Sequence, residues 1–161
     1  MVGMQQHWLT LVVGLPRSGK STWVERHKGD AVVVSSDWIR EHVLCESYSY
    51  AESANAVVLA MMDCALRIVL GQGKDAVLDG TNLTRFTRQF YAQIAREHGA
   101  KVRIIWANTS LGECLERNAS AQGRKLPAAK LASMAEKMQV PTHDECDELE
   151  YMFPEFEEIK P

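Results

Sequence analysis

Apolar and polar positions alternate in blocks along this chain. Trp8-Leu9-Thr10-Leu11-Val12-Val13 is a short β-rich run stopping at Gly14, the pattern of a buried strand. From Ser21 to His27 the pattern predicts a helix, closed by Gly29. Ala31-Val32-Val33-Val34 is a second apolar strand, ending in Ser35-Ser36-Asp37. Over residues 52–70, Ala54, Val57, Met61, Ala65 and Ile68 recur at helical spacing, and Gly71 stands where a C-terminal cap belongs. A third strand, Ala76-Val77-Leu78, ends at Asp79. Thr84 opens a helix in which Phe86, Phe90 and Ile94 recur every four residues, and Gly99 closes it. Val102 to Trp106 forms the fourth strand; helices from Leu111 to Asn118 and from Pro127 to about Met138 follow, with a polar break between them. Strands alternating with helices require crossover connections, so the fold class is α/β: a mainly parallel sheet with helices on both faces.

Length and composition narrow this picture. The 161 residues, 46 % apolar and 24 % charged, suit one globular domain spanning 1–161. By this reading no run of about 18 apolar residues exists to cross a membrane. Met1 to His7 is short and polar, unlike a secretion signal, so the expected location is the cytoplasm. Cys45, Cys64, Cys114 and Cys146 lie far apart and read as reduced, mostly core thiols. The five histidines show no paired ligand spacing. Residues 142–161 carry eight acids against Lys160 alone, and read as a solvated acidic segment whose Leu149, Tyr151, Met152, Phe153 and Phe156 suggest that part of it packs back or meets a partner. The rest of the chain is mildly basic, which permits a polyanionic substrate without announcing one.

In such sheets, ligands bind beyond the carboxyl ends of the strands. The polar residues there are Gly14 to Thr22, Ser35 to Arg40 and Asp79 to Asn82, and they should share one crevice. The first group, Gly14-Leu15-Pro16-Arg17-Ser18-Gly19-Lys20-Ser21, satisfies G-x-x-x-x-G-K-[ST] in full, between a strand and a helix as this phosphate-binding loop requires. Gly14 and Gly19 let successive N–H groups turn inward toward phosphate oxygens, and the helix start adds its positive dipole end. Lys20 is placed to reach the β- and γ-phosphates, Ser21 to offer a hydroxyl to Mg²⁺, and Pro16, Arg17, Ser18 and Thr22 to complete the ATP cradle. The chain is therefore expected to be a P-loop NTPase. The loop alone does not separate a kinase from a motor, a switch or a regulatory ATPase; it is the segments that follow that point to a kinase-like fold with a small helical lid.

Three further pieces bear on chemistry. In Ser35-Ser36-Asp37-Trp38-Ile39-Arg40, Asp37 is either a general base for an attacking hydroxyl or, with Ser36, a helix cap; Arg40 is either an anion clamp or a surface residue. Asp79 stands at a strand end where Mg²⁺ is held, with Thr81 and Asn82 beside it to orient phosphates or substrate. Arg117, Arg124 and Lys125 lie in or beside the polar break between the last two helices, where arginines can fold over ATP. Arg85 and Arg88 flank Phe86 and are candidates for substrate phosphate. Trp23, Trp38 and Trp106 read first as core or half-buried packing residues; Trp38, between Asp37 and Arg40, is the best placed of them to stack a base.

These motifs, in this order, resemble the kinase module of the polynucleotide 5′-hydroxyl kinase family. The resemblance rests on GLPRSGKSTW, SSDWIR, LDGTNL, ERN with GRKLP, and PTHDECDEL, from Leu9 to about Leu149. It implies that Lys20 and Ser21 bind ATP and Mg²⁺, that Asp37 is the general base, that Arg40 holds the acceptor's neighbouring phosphate, and that Arg117 and Arg124 are lid residues. The implied partner is a 5′-hydroxyl end of DNA or RNA. Two rivals stay open: a small-molecule kinase acting on a nucleoside, antibiotic or sugar, and a nucleotide-binding module that transfers nothing.

Overall fold

A computed structural model describes residues 6–45, 52–123 and 125–153. Five strands, β1 (Trp8–Val13), β2 (Val32–Ser35), β3 (Ala76–Asp79), β4 (Lys101–Trp106) and β5 (Glu148–Tyr151), form one sheet in the order β2-β3-β1-β4-β5, every neighbouring pair parallel. The helices are α1 (Lys20–His27), α2 (Ser36–His42), α3 (Glu52–Gly71), α4 (Arg85–Glu97), α5 (Leu111–Ser120) and α6 (Ala128–Glu136). The register sets Val12 beside both Asp79 and Ile105, and Ser35 beside Asp79. The loops leaving β2, β3 and β1 therefore emerge side by side from one end of the sheet, with that of β3 in the middle.

Alternate residues of β1 face opposite layers. Leu9, Leu11 and Val13 join the core formed with α3 and α4, whereas Val12 packs with Val24, Val77 and Ile105 on the α1 side. A third cluster, Leu15, Cys114, Leu126 and Leu131, anchors the phosphate loop to α5 and α6. Burying each of these larger aliphatic side chains contributes about 1.5–3 kcal/mol. The loop is thus fastened to packed elements at both ends.

The fifth strand is a departure from the sequence reading, and it lies within the acidic segment. Its Glu-Leu-Glu-Tyr alternation is that of a half-buried edge: Leu149 packs on the core while Glu148 and Glu150 turn to Arg103, at 2.7 and 3.5 Å. Glu145, in the 3₁₀ turn His143–Glu145, is buried as well, so this part of the segment is structural rather than solvated.

Helix α3 corrects two further expectations. Its buried stripe is Ala54, Val58, Met62, Leu66 and Leu70; of the predicted positions Ala54 lies in it and Met61 and Ala65 are partly buried beside it, whereas Val57 and Ile68 are exposed. The stretch Ser53–Gly71 has a mean hydropathy of 1.7 and is, by length and composition, apolar enough to cross a membrane, contrary to the sequence reading. Asp63 and Arg67 interrupt the run and disguise it; here one face of the helix packs against the sheet. In α4, likewise, Phe86 is 80 % exposed and Phe90 half-exposed; the buried face is Arg88, Tyr91, Ala92, Ile94 and Ala95. Cys114 is the buried thiol, Cys146 is partly covered, and Cys45 and Cys64 are exposed, so only part of the core assignment holds.

Candidate functional site

A cavity of about 650 Å³, a volume suited to a nucleotide-sized ligand, opens at the strand ends. The phosphate loop forms one wall through Pro16, Arg17, Gly19, Lys20, Ser21 and Thr22. Ser36, Asp37 and Arg40 of α2 form the second, and Asp79, Gly80 and Thr81 the third. Arg117, Ala121 and Gln122 close the side nearest α5.

The loop's shape is held by its backbone. At Gly14 an added Cβ would lie 2.9 Å from Ala107 Cβ and Ala107 O, so no side chain fits, while its N–H donates to Thr81 O at 3.1 Å. Gly19, at φ +99°, is the N-cap of α1 and turns the chain into the helix. Ser18 is fully buried, and the Thr109 hydroxyl donates to its carbonyl at 2.8 Å. Gly14 and Ser18 thus shape the loop from behind. Thr109 was missed in the sequence, although Asn108-Thr109-Ser110 follows β4 as the other polar groups follow theirs.

Lys20 is only 8 % exposed and donates to Leu15 O at 2.6 Å. Burial pushes its ammonium down to about 8, against the opposing pull of Asp79 and Asp37. Burial likewise raises the Asp79 carboxyl, with Lys20 and Ser21 acting in the other direction. The Ser21 hydroxyl donates to Asp79 Oδ2 at 3.2 Å. Lys20 and Asp79 are therefore partly desolvated ionisable groups on facing walls of the cavity, with the Ser21 hydroxyl bonded to Asp79.

The two readings of Asp37 and Arg40 separate here. Helix α2 is capped by Ser35, whose hydroxyl accepts the Trp38 N–H at 3.3 Å, so neither Ser36 nor Asp37 performs that task. Asp37 is exposed at the cavity wall. Arg40 is 8 % exposed, not a surface residue, and donates to Asn55 Oδ1 at 2.7 Å. Trp38 is 55 % exposed and stacks on His42, away from the cavity lining.

Other candidates are differently placed. Asn82, buried at φ +47°, donates through Nδ2 to Val12 O at 2.8 Å and pins the loop after β3 to the central strand. Arg88 is 1 % exposed and does not face the cavity. Its Nε and Nη2 donate to Glu145 at 2.7 and 3.0 Å, and its Nη1 to Asn82 O and Leu83 O, both at 3.0 Å. Arg85 turns to Thr142 and Asp144. Both corrections share one cause: the part of the acidic segment that packs back, as its apolar residues suggested, lays its turn His143–Glu145 over α4 and takes these arginines as partners. Arg117 reaches the mouth and donates to Arg17 O at 3.2 Å. Arg124 lies outside the described residues. The two sides of the polar break are joined by Asn118, which exchanges hydrogen bonds with the Leu126 backbone at 2.7 and 3.1 Å.

A family model described as an AAA domain matches residues 9–141. The chain belongs to the AAA domain family. Among solved structures, this AAA domain is similar to a chain of the Pnkp1/Rnl/Hen1 RNA repair complex, at TM-score 0.72 and 19 % identity over 83 % of its length. It spans only 44 % of that larger chain. It also resembles Chaetomium thermophilum Kti12 in complex with ADP-AlF3, at TM-score 0.71 and 17 % identity, covering 93 % of this chain and 91 % of that one. For Mycobacterium tuberculosis APS kinase CysC, in complex with AMPPNP and APS, the TM-score is 0.61 at 17 % identity, over 91 % and 89 %. The likeness is one of fold: this AAA domain is a five-stranded parallel, P-loop kinase-like α/β structure.

Proposed function

We propose that the protein is an ATP-dependent phosphotransferase that moves the γ-phosphoryl group to the 5′-hydroxyl of a DNA or RNA end. The observation carrying this reading is that Asp37 and Arg40 line the same cavity as Lys20, Ser21 and Asp79. A carboxylate spared from capping and an arginine thereby stand opposite a phosphate loop. The likeness to a chain of an RNA repair complex supports a nucleic-acid acceptor.

In this mechanism the inward N–H groups of the loop and Lys20 bind the triphosphate tail of ATP. Asp37 takes the proton from the acceptor hydroxyl. The acceptor oxygen forms its bond to the γ-phosphorus as the bond from that phosphorus to the β–γ bridging oxygen breaks, and ADP leaves with the electron pair. Lys20, Arg117 and Arg124 offset the charge spread over the transferring group. Arg40 holds the phosphate next to the reacting end, as a guanidinium can with two parallel bonds. Ser21 and Asp79 offer oxygen donors, which fit a hard divalent cation that completes its shell from water and phosphate. They would hold Mg²⁺, which when bound neutralises phosphate charge.

Incubation with γ-labelled ATP and a panel of 5′-hydroxyl oligonucleotides, nucleosides, sugars and aminoglycosides tests the reading. Label is expected in oligonucleotides, and to fall with Arg40→Ala. Label confined to small acceptors would assign a small-molecule kinase, and nucleotide binding without transfer a non-catalytic module.

A further inference from the structure

A second cavity, of about 270 Å³, adjoins the first and shares Ser36, Arg40, Gly80 and Thr81 with it. Beyond this neck its character changes. Helix α3 supplies Val58, Leu59 and Met62 to its lining; Leu83, Thr84, Thr87 and Tyr91 come from α4 and the segment leading into it. Val58, Met62 and Tyr91 are buried, while Leu59 is half-exposed. Arg40, at the shared edge, is the one charged side chain among the described residues of the lining. The Thr84 and Thr87 hydroxyls are 2.9 Å apart, and either can donate to the other. Whichever does, the pair keeps one hydroxyl hydrogen to offer a ring nitrogen or a carbonyl oxygen.

Such a space suits an uncharged, flat group with an apolar face and a polar edge. A second backbone phosphate would meet aliphatic side chains there, with no cation beyond Arg40 among the described lining residues, and would be poorly compensated for its lost water. A nucleobase presents its ring face to Leu59, Met62 and Tyr91 and its edge to the threonine pair. We infer that this cavity receives the 5′-terminal base of the acceptor, making the protein a kinase that grips the end nucleoside rather than the sugar-phosphate backbone alone. The assignment rests on the 5′-hydroxyl reading proposed above, and the neck at Arg40 connects the two cavities as that reading needs.

The experiment compares two single-stranded oligonucleotides identical except that one has an abasic 5′ residue still bearing its 5′-hydroxyl. With the wild-type protein, kcat/KM on the abasic end is expected to fall roughly 5- to 150-fold, the range that loss of one base contact gives, with the KM for ATP unchanged. Leu59→Glu, at the half-exposed position in the lining, is expected to lower kcat/KM on the intact end and to leave the abasic end nearly unaffected. Equal kcat/KM on both ends for the wild-type protein would overturn the assignment while leaving the 5′-hydroxyl reading in place. Labelling of neither oligonucleotide would overturn both.

Discussion

The Ser21 hydroxyl donates to the Asp79 carboxylate across 3.2 Å, tying the first turn of α1 to the end of β3. Both elements leave the same edge of the sheet, because Asp79 pairs in register with Val12 of the central strand. The contact therefore joins the phosphate loop to the neighbouring acidic strand end through one hydrogen bond. Asp79→Asn keeps the shape but removes the charge. In a titration of activity against Mg²⁺, the concentration for half-maximal rate should rise about 10- to 100-fold. An unaltered Mg²⁺ curve would separate Asp79 from the cation.

Lys20 makes nucleotide binding depend on pH. Burial lowers its folded value to about 8, so the ammonium is half deprotonated near that pH and mostly neutral above it. A triphosphate prefers the protonated form; its affinity should therefore weaken as pH rises through 8, by up to about tenfold per unit. Apoprotein stability moves the other way. Between about 8 and the ordinary lysine value of 10.5 the unfolded chain binds more protons at this group, so Lys20 adds stability as pH rises. Calorimetric ATP titrations from pH 7 to 9.5 check the first trend and denaturant unfolding the second. A flat affinity profile would contradict the role of Lys20.

The Arg88–Glu145 pair should matter to stability and to the loop after β3 together. Burial alone would raise the Glu145 carboxyl, but the hydrogen bonds from Arg88 and Thr142 hold it below the usual glutamate range. Its contribution is therefore present above the ordinary glutamate value and lost as pH falls through the folded one. Arg88→Ala leaves a buried carboxylate without its partner and should cost about 3–5 kcal/mol in urea unfolding. The double replacement Arg88→Met with Glu145→Leu should recover most of that. Equal losses in the single and double variants would show that the pair is not the source.

How far the sequence disclosed this molecule depended on whether local pattern or distant packing decided each feature. The glycines, lysine and serine of the phosphate loop act through backbone angle and spacing, which are local, and the strands around them are apolar runs. The roles of Arg88 and Glu145, 57 residues apart, are set by the return of the chain over α4, which no short window contains. Strand β5 hid because its alternate acids mimic a solvated tail, and the phenylalanines of α4 misled because their regular spacing marks the exposed face. Asp37 was ambiguous for a smaller reason. Ser35, Ser36 and Asp37 can all cap a helix, and only the hydrogen bond at Ser35 shows which one does.

Asp37 carries the central claim, and single-turnover transfer from γ-labelled ATP to a 5′-hydroxyl oligonucleotide tests it most directly. With Asp37→Asn the transfer rate should fall by about 10²–10⁴, the contribution of a positioned general base, while ATP affinity measured on the same preparation stays at the wild-type value. A variant that transfers phosphate at the wild-type rate would contradict the account.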